Sequence, residues 1–129
     1  MKADTREWVK YEEDDYDVAC LLMRSRKKLL TNAIGFHCQQ CVEKYLKARL
    51  EEAGLPVPKV HALVVLLRLL APVEPLWMTF EPAAVHLTHY AVKFRYPGHV
   101  PTKQDAKDAL KDCRAIRKEV RASLGLPTK

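Results

Sequence analysis

Apolar residues recur at alternating steps of three and four along most of this chain, which is the spacing of one buried face of an α-helix. The first segment with this spacing places on one face Trp8, Tyr11, Asp15, Val18 and Leu22. The second places there Ile34, Cys38, Cys41, Tyr45 and Ala48. Thr31 and Asn32 are suitable N-caps for the second helix, and Gly54, followed by prolines, ends it. The pattern predicts two long helices in the first half of the chain.

The second half of the chain predicts three more helices. Residues 61–70 are apolar on nearly every side, which is typical of a short, deeply buried helix. The fourth segment places on one face Leu76, Phe80, Ala83, Leu87, Tyr90 and Phe94. Because Pro82 lies inside this segment, the regular helix either begins there or is kinked there.

The fifth helix has the clearest start. Thr102 is a capping residue, and Asp105 three residues later makes an acidic variant of the capping box. Its apolar face contains Ala106, Leu110, Cys113, Ile116 and Val120. Gly125 ends it.

These elements predict an all-α fold, because no segment shows the strict alternation of a strand. Four long helices with short joints and a small extra helix are typical of an up-and-down four-helix bundle with a short additional helix. A length of 129 residues suits a single domain. We therefore expect one domain over residues 1–129, with residues 1–5 and 125–129 as loose ends.

Composition bears on location rather than on fold. A hydrophobic content of 48% and a charged content of 29% are those of an ordinary globular protein. Residues 1–6 are polar and contain no signal-peptide core. The most apolar stretch, residues 62–71, is far shorter than the roughly 20 residues that cross a bilayer. We expect a cytoplasmic protein with no membrane association, whose four cysteines stay reduced.

The net charge of +6 is unevenly distributed. The C-terminal helix is basic through Lys107, Lys111, Arg114, Arg117, Lys118 and Arg121. A basic surface attracts nucleic acid or a nucleotide, although a solvated helix face explains the same charges. Charge alone therefore identifies no partner.

Cysteine and histidine patterns are candidates for metal or redox chemistry. Cys38 and Cys41 form a C-x-x-C pair beside His37, a spacing found in redox dithiols and in half of a zinc site. The pair lies inside a helix on its apolar face, as do Cys20 and Cys113 on theirs, so packing as small apolar residues is the preferred interpretation.

A second histidine pattern lies on the fourth helix. His86, His89 and Lys93 share a face where a metal ion or a phosphate could bind. No neighbouring carboxylate in the sequence completes a metal site. We predict no metal site and no cofactor.

Polar residues inside apolar helix faces are candidates for a buried site. Asp15 lies on an apolar face, where an unpaired carboxylate is costly, and Lys44 and Arg95 are its candidate partners. Beside Lys44 the second helix also carries Gln39, Gln40 and Glu43. These residues form either a strip on the surface or a polar cluster inside the bundle or at a dimer interface. In the cluster, Glu43 or Lys44 would pair with a charge on helix one or four.

The segment Arg95-Tyr96-Pro97-Gly98-His99 is the most promising functional position. The planar arginine fork suits phosphate, and a tyrosine ring stacks on a base. Pro97 and Gly98 turn the chain, which would let these groups face a common cleft.

Four segments together resemble the HEPN domain family (higher eukaryotes and prokaryotes nucleotide-binding). Residues 36–48, with two glutamines and a Glu-Lys pair in an apolar repeat, resemble its signature second helix. Residues 8–19 resemble its first helix, with Asp15 in the place of a recurring acidic residue. Residues 58–63 around His61, and residues 90–97 ending in Arg-Tyr-Pro, resemble two later segments in the same order. The chain is identified as a member, of the small stand-alone bacterial or archaeal type.

The resemblance implies a symmetric homodimer that associates with a minimal nucleotidyltransferase, in a toxin–antitoxin-like pair whose partner carries the metal-dependent chemistry. It leads to the hypothesis of a non-catalytic module that binds a nucleotide, or RNA, and a partner protein. In this hypothesis Arg95 holds phosphate, Tyr96 stacks or orients, and Lys44 or Asp15 supports the site.

Two alternatives stay open. Ribonuclease members of the family use an arginine and a histidine at a slightly longer spacing than the three residues between Arg95 and His99, and Tyr96 replaces their usual polar residue. A metal-independent endoribonuclease toxin at a dimer interface, with Arg95 and His99 as candidate catalytic residues, is one alternative. A structural protein–protein adaptor that uses the basic face is the other.

Overall fold

The structure, a computed structural model, describes residues 1–25 and 27–129. Within these residues the α-helices are α1 (Ala3–Met23), α2 (Thr31–Glu52), α3 (Leu63–Leu70), α4 (Glu81–Thr88) and α5 (Lys103–Ser123). Short 3-10 helices, Pro75–Phe80 and Lys93–Arg95, flank α4. The described part contains no strand, and the predicted all-α class is confirmed. None of its helices is long and apolar enough to cross a membrane.

Helix α2 lies at the centre of the bundle and packs against α1, α3, α4 and α5. Its predicted apolar face is confirmed, because all five residues are fully buried. It ends as predicted: Gly54 has a φ of 71°, and the Leu55 N–H donates to the Leu50 carbonyl at 3.0 Å. The predicted N-cap is wrong, because neither Thr31 nor Asn32 caps the helix with its side chain.

Helix α1 is rotated relative to the prediction. Tyr11, predicted to be buried, is 53% exposed, while Glu12 is fully buried. The buried positions are Thr5, Glu12, Asp15, Ala19 and Cys20. The spacing is helical as expected, but polar residues occupy positions on the inner face, which a count of apolar residues alone misplaces.

The N-terminal segment is hydrogen-bonded to the end of α2. Helix α1 already begins at Ala3, and Thr5 is fully buried. The Lys2 backbone N–H donates to Glu52 Oε1 at 2.9 Å, and the Thr5 hydroxyl donates to the same oxygen at 3.1 Å. These bonds join the start of α1 to the end of α2, at the opposite end of α2 from the cleft described below.

Helices α3 and α4 are shorter than predicted. Helix α3 begins at Leu63, and its Val65 and Leu69 are exposed, so it is not buried on all sides. Helix α4 begins next to Pro82, which confirms a helix start rather than a kink, since proline needs no N–H partner in the first turn. Leu76 is 79% exposed and lies outside α4.

The predicted continuation of α4 to Phe94 is wrong. The helix ends at Thr88, whose hydroxyl donates to the Ala84 carbonyl at 2.7 Å and so competes with the helical pattern. The chain then turns, and the Phe94 N–H donates to the His89 carbonyl at 2.9 Å.

Helix α5 begins with the predicted capping box. The Asp105 N–H donates to Thr102 Oγ1 at 3.1 Å, and the Thr102 N–H donates to Asp105 Oδ2 at 2.7 Å. All five predicted apolar positions of α5 are buried.

Thr102→Ala is expected to lower the free energy of unfolding by about 1 kcal/mol, because it leaves a first-turn N–H without its acceptor. Urea denaturation followed by circular dichroism measures the loss. Thr79→Ala is the matched control, since the Thr79 hydroxyl bonds only the Leu76 carbonyl within its own exposed turn. Equal losses in both variants would show that the capping box contributes nothing specific.

Candidate functional site

A cleft of about 620 Å³ opens where the N-terminus of α2 meets the turn that follows α4. Side chains that line it include Lys28, Asn32, Phe36, His37, Tyr90 and Arg95. This volume lies within the range of small-molecule sites in proteins. The cleft combines cationic and aromatic groups, so its chemistry suits an anion attached to a planar group.

The first turn of α2 faces the cleft with no side-chain cap. Thr31, Asn32 and Ala33 all line the cleft. The Thr31 hydroxyl donates to the Pro101 carbonyl at 2.9 Å, and Asn32 Nδ2 donates to the Phe94 carbonyl at 2.9 Å. Because these side chains fasten the neighbouring loop instead, the first N–H groups of α2 and the positive end of its dipole are left for an anion.

Arg95 is held at the edge of the cleft by an aromatic ring. Its guanidinium carbon lies 5.5 Å from the centre of the Phe36 ring. Within the described residues its fork makes no hydrogen bond or ion pair. A stacked arginine keeps its edge donors available for a planar anion such as phosphate. The residue predicted to hold phosphate therefore lies in the cleft.

Tyr90 lies beneath the cleft, directly against the backbone of α2. A Cβ atom added to Gly35 would lie only 1.9 Å from Cε1 of Tyr90, so the ring occupies the space that a side chain would take. Tyr90 is fully buried, and its hydroxyl has no hydrogen-bond partner in the described part of the chain. Burial raises the pKa of Tyr90, so the hydroxyl stays protonated and is an unmet donor.

His37 reaches the cleft from α2 and is paired behind it with Asp15. Its Nδ1 lies 2.8 Å from Asp15 Oδ1, while Asp15 Oδ2 lies 2.5 Å from Lys44 Nζ. Of the two predicted partners of Asp15, Lys44 is the one that pairs with it, and Arg95 does not. His37 is a site residue that the sequence did not reveal. The available signal is its spacing of seven from Lys44, which places both on one face of α2.

Tyr96 and His99 do not lie in the cleft. Tyr96 is 65% exposed, and neither residue is among the lining side chains. The backbone becomes extended at Tyr96, with φ of −108° and ψ of 148°. The structure brings Arg95 together with His37 rather than with Tyr96 or His99, whose roles stay predictions.

The glutamines and Glu43 form a buried polar cluster rather than a surface strip. Gln39 is fully buried, and its Nε2 donates to Glu43 Oε1 at 3.0 Å. Glu43 also pairs with Lys47 at 3.1 Å and with His61 Nδ1 at 2.8 Å. Gln40 Nε2 donates to Gln39 Oε1 at 2.7 Å. This cluster ties the loop before α3 to α2, and it is separate from the cleft.

The basic face of α5 is narrower than predicted. Arg117 is 7% exposed, and its guanidinium lies 3.2 Å from Glu13 Oε2 and 4.2 Å from the centre of the Tyr16 ring. Reversal of the Arg117 charge would therefore damage the fold, so Arg117 belongs to the fold rather than to an exposed basic face. The basic residues of α5 that remain exposed are Lys103, Lys107, Lys111, Arg114 and Lys118.

The cysteines are buried and unpaired by disulfides, as the packing interpretation predicts. Burial raises the pKa of the Cys41 thiol well above its ordinary value, which disfavours the reactive thiolate.

His86 lies near two carboxylates that its neighbours in the sequence did not indicate. It is 3.8 Å from Asp112 and 4.0 Å from Asp105. No three histidine, cysteine, aspartate or glutamate side chains of residues 1–25 and 27–129 are placed to hold a metal ion.

The fold and the cleft define an all-α domain with a cationic, aromatic-lined site at the N-terminal end of its central helix. The sequence model of the HEPN domain matches residues 5–123, and the chain belongs to the HEPN family. This membership supports a nucleotide- or RNA-related module. No curated protein and no solved structure matches the chain.

Proposed function

We propose that the protein is a non-catalytic HEPN module that binds a nucleotide in the cleft and works with a partner protein. The observation that supports this most directly is the uncapped first turn of α2, which opens onto the cleft beside Arg95 and Lys28. Backbone N–H groups, an arginine fork and a lysine together form a site suited to phosphate. Phe36, which lines the cleft, provides aromatic surface for a base.

The proposed assembly rests on family membership and on two exposed surfaces. Val92, Tyr96 and Val100 are exposed apolar residues that follow α4, and we assign them to the interface of a symmetric homodimer. The exposed basic stripe of α5 is assigned to the partner, a minimal nucleotidyltransferase in a toxin–antitoxin-like pair in the cytoplasm. In this proposal the partner carries the transfer chemistry.

Arg95→Ala is expected to abolish most of the stabilisation that a nucleotide gives to the protein. A ligand at 100 times its dissociation constant adds about 2.7 kcal/mol to the free energy of unfolding, which is visible as a rise in melting temperature. The measurement is a thermal-shift assay with the common ribonucleotides, run on wild type and variant. Arg6→Ala is the matched control, because it removes the same charge at the opposite end of the bundle.

The proposal fails if no nucleotide raises the melting temperature of the wild type. It also fails if a nucleotide stabilises Arg95→Ala as much as it stabilises the wild type and the Arg6→Ala control. Cleavage of RNA in the presence of a chelator, lost in Arg95→Ala and in His99→Ala, would instead support the endoribonuclease hypothesis. Absence of both binding and cleavage would leave the adaptor hypothesis.

A further inference from the structure

His37 is held at one ring nitrogen and open at the other. Nδ1 lies 2.8 Å from Asp15 Oδ1, whereas Nε2 makes no hydrogen bond within the described chain. The side chain is 30% exposed and lines the cleft. The open nitrogen is therefore available to a ligand.

The pair behind His37 fixes which nitrogen carries the proton. An ionised carboxylate only accepts hydrogen bonds, and with Asp15 Oδ2 placed 2.5 Å from Lys44 Nζ, the other oxygen is left to accept from His37 Nδ1. In its neutral form the imidazole carries its hydrogen on Nδ1, toward Asp15 Oδ1, which leaves Nε2 as an acceptor. Apart from Asp15 and Lys44, the charged residues at this part of the cleft, within residues 1–25 and 27–129, are Lys28 and Arg95.

Nε2 of His37 is a hydrogen-bond acceptor in a cleft that also contains the cations Lys28 and Arg95. A suitable ligand must therefore offer a hydrogen-bond donor as well as an anionic group. Arg95 lies 5.5 Å and the His37 ring 5.7 Å from the centre of the same Phe36 ring, so the two groups flank one aromatic side chain. A ligand that satisfies both must carry an anionic group for Arg95 and a hydrogen-bond donor for His37. A ribose phosphate carries both, because its sugar hydroxyls are donors close to the phosphate.

We infer that Nε2 of His37 accepts a hydrogen bond from a sugar hydroxyl of the ligand, with Asp15 as the positioning residue, so that the cleft selects ribose phosphates. This inference rests on the proposed function and adds the sugar class to it. The same chemistry is present in a free ribonucleotide and in an RNA strand. In a strand only the 2′-hydroxyl is available, because the 3′-oxygen is esterified.

The first test compares four nucleotides of one base, chosen as the base that gives the largest thermal shift: the ribonucleoside triphosphate and its 2′-deoxy, 3′-deoxy and 2′,3′-dideoxy forms. Wild type is expected to bind the dideoxy form about tenfold more weakly than the ribose form. The single deoxy forms identify the hydroxyl. His37→Ala is expected to bind all four alike, while Arg95→Ala weakens all four together.

The second test changes the proton position without removing the ring. In Asp15→Asn, Lys44 donates to the amide oxygen, so the amide NH₂ faces Nδ1 and the hydrogen moves to Nε2. The ¹⁵N spectrum of the neutral histidine ring reports this change, which a purely structural role of Asp15 would not produce. Asp15→Asn is expected to lose the preference for a sugar hydroxyl and to keep phosphate binding.

The outcomes separate this inference from the proposed function. Equal binding of the four forms by wild type, or a preference that persists in His37→Ala, overturns the sugar contact and leaves nucleotide binding intact. Binding of none of them overturns both. Matched RNA and DNA oligomers distinguish the two sources, since a strand-binding site prefers the RNA and a mononucleotide site responds to neither.

Discussion

Gly35→Ala is expected to destabilise the protein by about 2 kcal/mol, although alanine favours a helix over glycine by about 1 kcal/mol. The new methyl group would lie 1.9 Å from the Tyr90 ring, which is fully buried. The ring must shift toward the cleft or α2 must move away. Chemical denaturation measures the loss, and thermal shift with the nucleotide reports any change in the cleft.

Without the Tyr90 ring, the effect of Gly35→Ala on the free energy of unfolding is expected to have the opposite sign. With Tyr90→Ala as the background the clash is absent, so Gly35→Ala is expected to stabilise that protein by about 1 kcal/mol through helix propensity. Equal losses in both backgrounds would show that Tyr90 is not the cause. Tyr90→Phe, which removes only the unpartnered hydroxyl, is expected to be neutral or stabilising.

Glu12→Gln is expected to stabilise the protein increasingly as the pH rises. Glu12 is fully buried, and both of its carboxyl oxygens lack a hydrogen-bond partner in the described structure. Burial, reinforced by the charge of Glu13, raises the pKa of Glu12 from its ordinary 4.5 to about 10. The folded protein therefore holds a proton at neutral pH that the unfolded chain releases.

The sign of the pH dependence follows from that proton. Between about pH 4.5 and pH 10 the folded state binds more protons than the unfolded state, so stability falls as pH rises. The slope for one proton is about 1.4 kcal/mol per pH unit, which amounts to about 3 kcal/mol at pH 7. Glutamine does not titrate, so the difference between variant and wild type should grow across this window in urea denaturation at several pH values.

Glu13→Gln is the matched control, because the neighbouring carboxylate is expected to behave in the opposite way. Burial opposes ionisation of Glu13, but hydrogen bonds from Tyr45 and Arg117 outweigh it and lower the pKa of Glu13. Its stabilisation is present above the ordinary pKa and is lost as pH falls through the folded value. Parallel pH profiles for the two variants would contradict the assignment of a protonated Glu12.

The sequence predicted best those buried faces along which apolar residues recur without interruption. The faces of α2 and α5 follow directly from their spacing, and the capping box of α5 depends only on residues within one turn. The buried face of α1 was predicted wrongly because Thr5 and Glu12 are buried although they are polar. The end of α4 at Thr88 falls inside an uninterrupted helical spacing of apolar residues, so periodicity does not reveal it.

The cleft was predictable in part. Arg95, Asp15 and Lys44 stood out by residue type and position. His37 appeared only as a neighbour of the C-x-x-C pair, because its value depends on Asp15 from another helix. The missing N-cap of α2 is likewise visible only in three dimensions, since Thr31 and Asn32 have capping side chains that bond to a distant loop.

The central position of α2 has a consequence for how the molecule opens. Because every other α-helix packs on it, α2 cannot detach without dissolving the core, and its amides should exchange with solvent only through global unfolding. The turn that carries Arg95 is instead a short 3-10 segment with no buried residue, joined to α2 through the Phe94 carbonyl, and it is expected to open before α2 does. A ligand in the cleft would therefore connect α2, the helix expected to open last, to the turn that carries Arg95, which is expected to open early.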